Sequence, residues 1–334
     1  MNPALQALRD HPVFICGHPK SGTSLLRSLL DSHPELLVYP EETVFFRRYL
    51  PKAQGKAHKE KLALADEYLL HIFTWNQSTP VPSQKDFPDR DYADISFSAV
   101  QETFRQLESQ ELRHDGDLLF NAMAAYGLVT GKLSEQTHRW VEKTPYNERF
   151  VEQILSWWPE ALFIHVVRDP RDNYASYQRK HPEWGAQAFA QSWQESTLKG
   201  LQYQERLGAE RYWVLRYEDF ILQVDAHIEK LCQFLGIQDH PTLRTPTRNG
   251  KDWFGNSMFG ERFEGIDTTP LGRWKQRLSA QDVLITEWAA SKAMRSLDYP
   301  FSGLRFKDVP IQSAPRLLKA WIAAKVLTSR RTEA

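Results

Sequence analysis

The chain has 334 residues, enough for one large α/β domain or two smaller ones. Its 42 Lys+Arg balance 42 Asp+Glu, so no net field draws it to nucleic acid or to an anionic surface, and any anion binding must be local. Two distant cysteines, Cys16 and Cys232, argue against a disulfide framework and for a reducing compartment, and no apolar run approaches the roughly 20 residues of a membrane span. A cytoplasmic protein without a nucleic-acid partner is the expectation.

In chain order, short β-branched apolar runs read as buried strands at Val13–Cys16, Leu36–Tyr39, Trp140–Val141, Leu162–Val167 and Tyr212–Leu215. The stretches Ser24–Ser32, Glu148–Trp158, Arg171–Lys180 and Asp225–Leu235 place apolar residues three and four apart and read as helices. Strand and helix in alternation predict an α/β fold: a P-loop-like parallel sheet of about five strands flanked by helices, with ligands at the carboxyl ends of the strands. Residues from about 51 to 131 change to long helical patterns broken by prolines between Thr79 and Pro88, which reads as a helical insertion or lid. From Asn249 to Thr269 glycine, aromatic and charged residues mix without period, as in a functional loop. The whole is read as a single domain over 1–314 followed by a tail over 315–334.

Two segments carry anion-binding chemistry. After the first strand comes Gly17-His18-Pro19-Lys20-Ser21-Gly22-Thr23-Ser24, followed at once by a helical run. Such a loop turns backbone N–H groups toward a phosphate while the positive end of the helix dipole faces it. In the nucleotide-hydrolysing P-loop a lysine follows the second glycine. Thr23 stands there instead, and the lysine has moved to Lys20 within the loop. The fourth strand ends in Arg168, with Asp169-Pro170 as a turn and a helix beginning near Arg171. Arg168 offers a planar fork to a phosphate and Ser176, two helical turns on, adds a hydroxyl; alternatively Arg168 pairs with Asp169 or Asp172.

Pro19-Lys20-Ser21-Gly22-Thr23-Ser24-Leu25-Leu26 resembles the 5′-phosphosulfate-binding loop of sulfotransferases that use 3′-phosphoadenosine-5′-phosphosulfate (PAPS). Leu30-Asp31-Ser32-His33-Pro34 followed by Glu41-Glu42-Thr43 is similar to the protein-tyrosine and bacterial branches. The resemblance covers about Pro12 to Pro300 in ordered blocks. It implies that Lys20, Ser21, Gly22, Thr23 and Ser24 hold the 5′ end of PAPS and that Arg168 and Ser176 grip the 3′-phosphate. It further implies that Tyr217 contacts adenine, unless it caps the core, and that Arg273, Trp274 and Lys275 close over the 3′-phosphate. Lys143, ending the third strand, implies charge stabilisation around the transferred group, or is an ordinary strand-end lysine.

Sulfuryl transfer to a hydroxyl needs a proton acceptor. Glu42 matches the carboxylate proposed as base in the tyrosine-sulfating branch, with Glu41 in a helix-capping role; His18 and His33 are weaker candidates. No His/Cys/Asp cluster shows metal-ligand spacing, so no metal is expected. The function implied is sulfuryl transfer from PAPS to a hydroxyl of an acceptor (carbohydrate, lipid, tyrosine or small alcohol), releasing adenosine 3′,5′-bisphosphate. The rivals are a P-loop kinase or NTPase and a non-catalytic nucleotide-fold binding protein. In the tail, Leu317, Leu318, Trp321 and Ile322 cluster while Arg316, Lys319, Lys325, Arg330 and Arg331 supply charge, which suits either peripheral contact with an anionic membrane or packing on the domain. Oligomeric state leaves no trace in the sequence.

Overall fold

The computed structural model describes residues 3–308 apart from 86, 88–89, 109–111, 258–260 and 264. Its sheet contains β1 (Pro12–Cys16), β2 (Leu36–Val38), β3 (Arg139–Lys143), β4 (Leu162–Val167) and β5 (Tyr212–Arg216). The strands are parallel and lie in the order β2-β3-β1-β4-β5. Every residue of β1, β2 and β4 is buried, as both-face coverage of a parallel sheet requires, which is why these segments read as apolar runs, broken only by His165. Pro12 to Ile15 pair with Trp140 to Lys143, and Leu36 to Val38 with Arg139 to Val141. The chain leaves β1 toward one edge and later crosses to the other, so the loop after β1 sits at the switch point where open α/β sheets bind ligands.

The expected helices form at Thr23–Leu30, Val151–Trp157, Pro170–Lys180 and Val224–Leu235. The first stops at Leu30, short of Ser32, and Pro34 bars any continuation through His33. The second begins as a 3₁₀ turn, Asn147–Phe150, behind a left-handed Tyr146 (φ 70°). Between residues 51 and 131 the described residues form helices, including Phe97–Glu108 and Gly116–Thr130, and no strand. The aperiodic stretch after Asn249 is entered through a two-residue antiparallel pair, β6 (Thr247–Arg248) with β7 (Lys251–Asp252).

The chain divides into two compact units: residues 1–15, 26–163 and 235–253, and residues 16–25, 164–234 and 254 onward. In the first, the Phe14 ring packs at 5.6 Å on Trp140 and at 5.9 Å on both Trp158 and Phe163. In the second, Tyr174, Phe189 and Trp193 bury against Leu284, Ile285 and Met294. Each such side chain contributes about 1.5–3 kcal/mol on burial. Cys16 and Cys232 are buried and not disulfide-bonded. The tail from Pro315 lies outside the described residues, and no described helix is long and apolar enough to cross a membrane.

Candidate active site

The second unit holds the loop after β1. Gly17 (φ 122°) ends the strand where a Cβ would lie 2.3 Å from the Val166 carbonyl oxygen, so only glycine passes. Lys20 takes a left-handed backbone (φ 68°) and Gly22 another (φ 107°), conformations of the kind that let loop N–H groups face an anion. The Ser21 N–H closes a turn on the His18 carbonyl. Gly22, Thr23 and Ser24 stand at the start of the helix Thr23–Leu30, at the positive end of its dipole. Ser21 is fully buried and its Oγ has no hydrogen-bond partner, an arrangement that favours an incoming acceptor. Asn256 donates to Ser24 Oγ at 3.4 Å.

Arg168 belongs to the same unit. Trp193 Nε1 donates to its carbonyl (3.0 Å), and Glu218 accepts the Asp169 N–H (2.8 Å) and the Tyr299 hydroxyl (2.8 Å), so the end of β4 is held from two sides. The alternative pairing of Arg168 with Asp169 or Asp172 does not form. Asp169 is a helix N-cap that accepts from Arg171 N and Nη2, and Asp172 accepts from the N–H groups of Gly272 (2.7 Å) and Trp274 (2.9 Å). Arg168 donates from Nη2 to the Pro270 carbonyl at 2.7 Å, while its buried Nε has no partner. Ser176 lies half-buried on the helix Pro170–Lys180.

One ring joins the loop to Arg168. A Cβ on Gly22 would meet Tyr217 Cδ2 at 2.3 Å, and the Arg168 guanidinium lies 5.0 Å from the Tyr217 ring centroid. Tyr217 is 7% exposed, and burial pushes its phenol above the ordinary value. Asp172 fixes the turn 272–274, whose Trp274 ring stacks under the Arg171 guanidinium at 4.2 Å. Arg273 pairs with Glu261 (2.5 Å) and donates from Nε to the Thr269 carbonyl; Lys275 is exposed, 5.8 Å from the Trp274 ring.

The first unit holds Glu42 and Lys143, joined by a 2.6 Å ion pair. The ammonium is 4% exposed and the carboxylate 38%, so the acid is the reachable partner. Burial by itself raises the Glu42 pKa, but the Lys143 charge, its hydrogen bond and the Arg90 and Arg47 guanidiniums outweigh it and hold the carboxyl below its usual range. Glu41 caps no helix. It is 5% exposed and accepts from the Tyr92 hydroxyl (2.6 Å) and Arg90 Nε (3.0 Å). His18 is wedged against Tyr177 and Phe189, and His33 bonds the Gln238 carbonyl (2.9 Å) while accepting the Glu35 N–H, so both have structural employment.

Residue patterns did not reveal the roles of Asp172, Glu218, Arg90 or Glu142, whose partners lie far along the chain. Arg27 is also new: it is 2% exposed and donates to the Pro40 carbonyl at 2.7 Å, holding the approach to Glu42. Its place four residues after Thr23 on a helix was legible, but not its target.

Comparison with known proteins gives the family and the fold. A sulfotransferase family model matches residues 12–241. The omega-hydroxy-beta-dihydromenaquinone-9 sulfotransferase Stf3 of Mycobacterium tuberculosis is 25% identical over 283 residues, covering 75% of this chain and 70% of that protein. The protein-tyrosine sulfotransferase of Drosophila melanogaster is 23% identical over 238 residues, covering 69% of this chain and 39% of its own. Among solved structures, the sulfotransferase domain of the curacin biosynthetic pathway superposes with a TM-score of 0.54 at 21% identity, over 86% of this chain and 98% of its own. That of the Synechococcus PCC 7002 olefin synthase gives 0.51 at 21% identity, over 86% and 95%.

Proposed function

We propose that this chain, which belongs to the sulfotransferase family, transfers a sulfuryl group from PAPS to the hydroxyl of an organic acceptor. The family membership removes the kinase alternative. The observation that carries the choice of donor is the pair of unpartnered buried groups in one unit, Ser21 Oγ and Arg168 Nε, with Tyr217 in contact with both segments. Two separate anion grips suit a nucleotide charged at both its 5′ and its 3′ end. Bound PAPS supplies the activated sulfuryl group and leaves as adenosine 3′,5′-bisphosphate.

The chain's own residues do the rest. N–H groups of Gly22 to Ser24 and the Ser21 hydroxyl hold the 5′ end, Lys20 offers its ammonium to the leaving oxygen, and Arg168 with Ser176 holds the 3′-phosphate. Arg273, Trp274 and Lys275 cover that phosphate, and Tyr217 supports the adenine side. Glu42 takes the proton of the acceptor hydroxyl as its oxygen bonds to sulfur, and Lys143 keeps that carboxylate ionised and aimed. No step calls for a metal. Stf3 and the protein-tyrosine enzyme are named for a hydroxylated quinone and a phenol, and the hydroxyl common to both is the acceptor chemistry proposed here.

Turnover of PAPS with a panel of alcohols and phenols tests this reading. Lys20→Ala should lower kcat by about 10²-fold or more, the scale of a lost charge-stabilising contact, with the circular dichroism spectrum unchanged. Wild-type turnover in that variant would refute the role of Lys20.

A further inference from the structure

We infer that Glu142 is a positioning residue whose buried carboxylate ties together the two strained turns that carry Glu42 and Lys143. The inference rests on the proposed roles of that pair. Glu142 precedes Lys143 on β3, and neighbours on a strand point to opposite faces of the sheet, here both covered. It is 0% exposed. Its Oε1 accepts from Thr43 Oγ1 (2.7 Å), Thr144 Oγ1 (2.5 Å) and Thr43 N (3.3 Å), and its Oε2 accepts from Asn147 Nδ2 (2.6 Å).

Those donors bracket two outliers. Val44 sits at φ 46° and ψ 28°, a left-handed conformation that a β-branched residue rarely adopts, and Tyr146 sits at φ 70°. Val44 follows Glu42 by two residues and Tyr146 follows Lys143 by three. The threonines relay the hold: Thr144 Oγ1 donates to Glu142 and accepts the Val44 N–H (3.2 Å), while Thr43 Oγ1 donates to Glu142 and accepts the Phe45 N–H (3.3 Å). Left-handed non-glycine residues persist only where their surroundings over-determine them, and here one carboxylate fixes both turns. A buried acceptor with every donor in place also keeps Glu42 within reach of Lys143.

The test compares Glu142→Ala, Thr144→Val and Glu42→Gln, with Val44→Gly added to the first two. Glu142→Ala should lower kcat by about tenfold to a hundredfold, the usual loss when a catalytic group is displaced by about 1 Å. It should leave bisphosphate affinity unchanged and move the acid limb of kcat/KM upward, because Glu42 drifts from Lys143. Thr144→Val, a milder change that preserves packing, should move the limb the same way by less. Val44→Gly should restore part of kcat in both, since glycine takes the left-handed turn without the clamp. The inference is overturned if folded Glu142→Ala and Thr144→Val proteins keep wild-type kcat and acid limb. It is also overturned if kcat falls while the limb stays and Val44→Gly recovers nothing. Should Glu42→Gln turn over normally, it is the base assignment that fails, and the two failures are thereby told apart.

Discussion

The guanidinium of Arg168 lies 5.0 Å from the centroid of the Tyr217 ring, and that ring also closes on Gly22 in the loop after β1. The turn around Lys20 and the end of β4 are thus held in register by one aromatic side chain. Gly22→Ala should break this: its Cβ would meet the ring at 2.3 Å on a backbone at φ 107°. We expect a loss of about 1–3 kcal/mol of stability from the strained residue, seen in thermal melts, together with weaker bisphosphate binding. Tyr217→Phe keeps the ring and should behave as wild type in both measurements.

Glu42 has its pKa held below the usual carboxylate value by Lys143, Arg90 and Arg47 against the effect of burial. As a base it is active when ionised, so kcat/KM should fall only when pH drops below the ordinary glutamate value of about 4.3. Lys143→Met removes the main opposing charge and leaves the burial effect, so the acid limb should move up. A limb that stays in place would separate Lys143 from the base. Glu42→Gln should lower kcat by about 10²–10⁴-fold, the range of a general base.

His165 is fully buried on β4, its Nδ1 2.9 Å from the Tyr212 hydroxyl, and burial lowers its pKa to about 3. The folded protein keeps the ring neutral while the unfolded chain protonates below about pH 6.5. The unfolded state then binds the extra proton, so stability falls as pH drops from about 6 toward 3, by at most about 1.4 kcal/mol per pH unit. Denaturant midpoints across that range should show the slope, and His165→Gln, though less stable overall, should flatten it.

The sheet was legible because parallel strands buried on both faces have no choice but to be short and apolar, as Phe14 and Ile164 are. The loop around Lys20 was legible because its glycines must precede a helix. Glu42 and Lys143 each stood out singly, yet nothing in their spacing foretold the 2.6 Å pair, which depends on β2 and β3 lying side by side. Glu142 was invisible for the opposite reason: an acid inside an apolar strand declares itself only once Thr43, Thr144 and Asn147 are seen around it. Glu41 deceived, because an acid ahead of Phe45–Tyr49 looks like a cap when it is in fact the partner of Tyr92 and Arg90.

A nucleotide held at both ends, by the loop around Lys20 and by Arg168, leaves a signature in binding. Titration calorimetry of wild type and Arg168→Ala with adenosine 3′,5′-bisphosphate and with AMP addresses it directly. The wild type should prefer the bisphosphate, and the variant should lose about 1.5–3 kcal/mol on the bisphosphate, the worth of a hydrogen bond to a charged group, with little change toward AMP. Equal weakening toward both nucleotides, or an unchanged preference for the bisphosphate, would rule out a 3′-phosphate grip by Arg168.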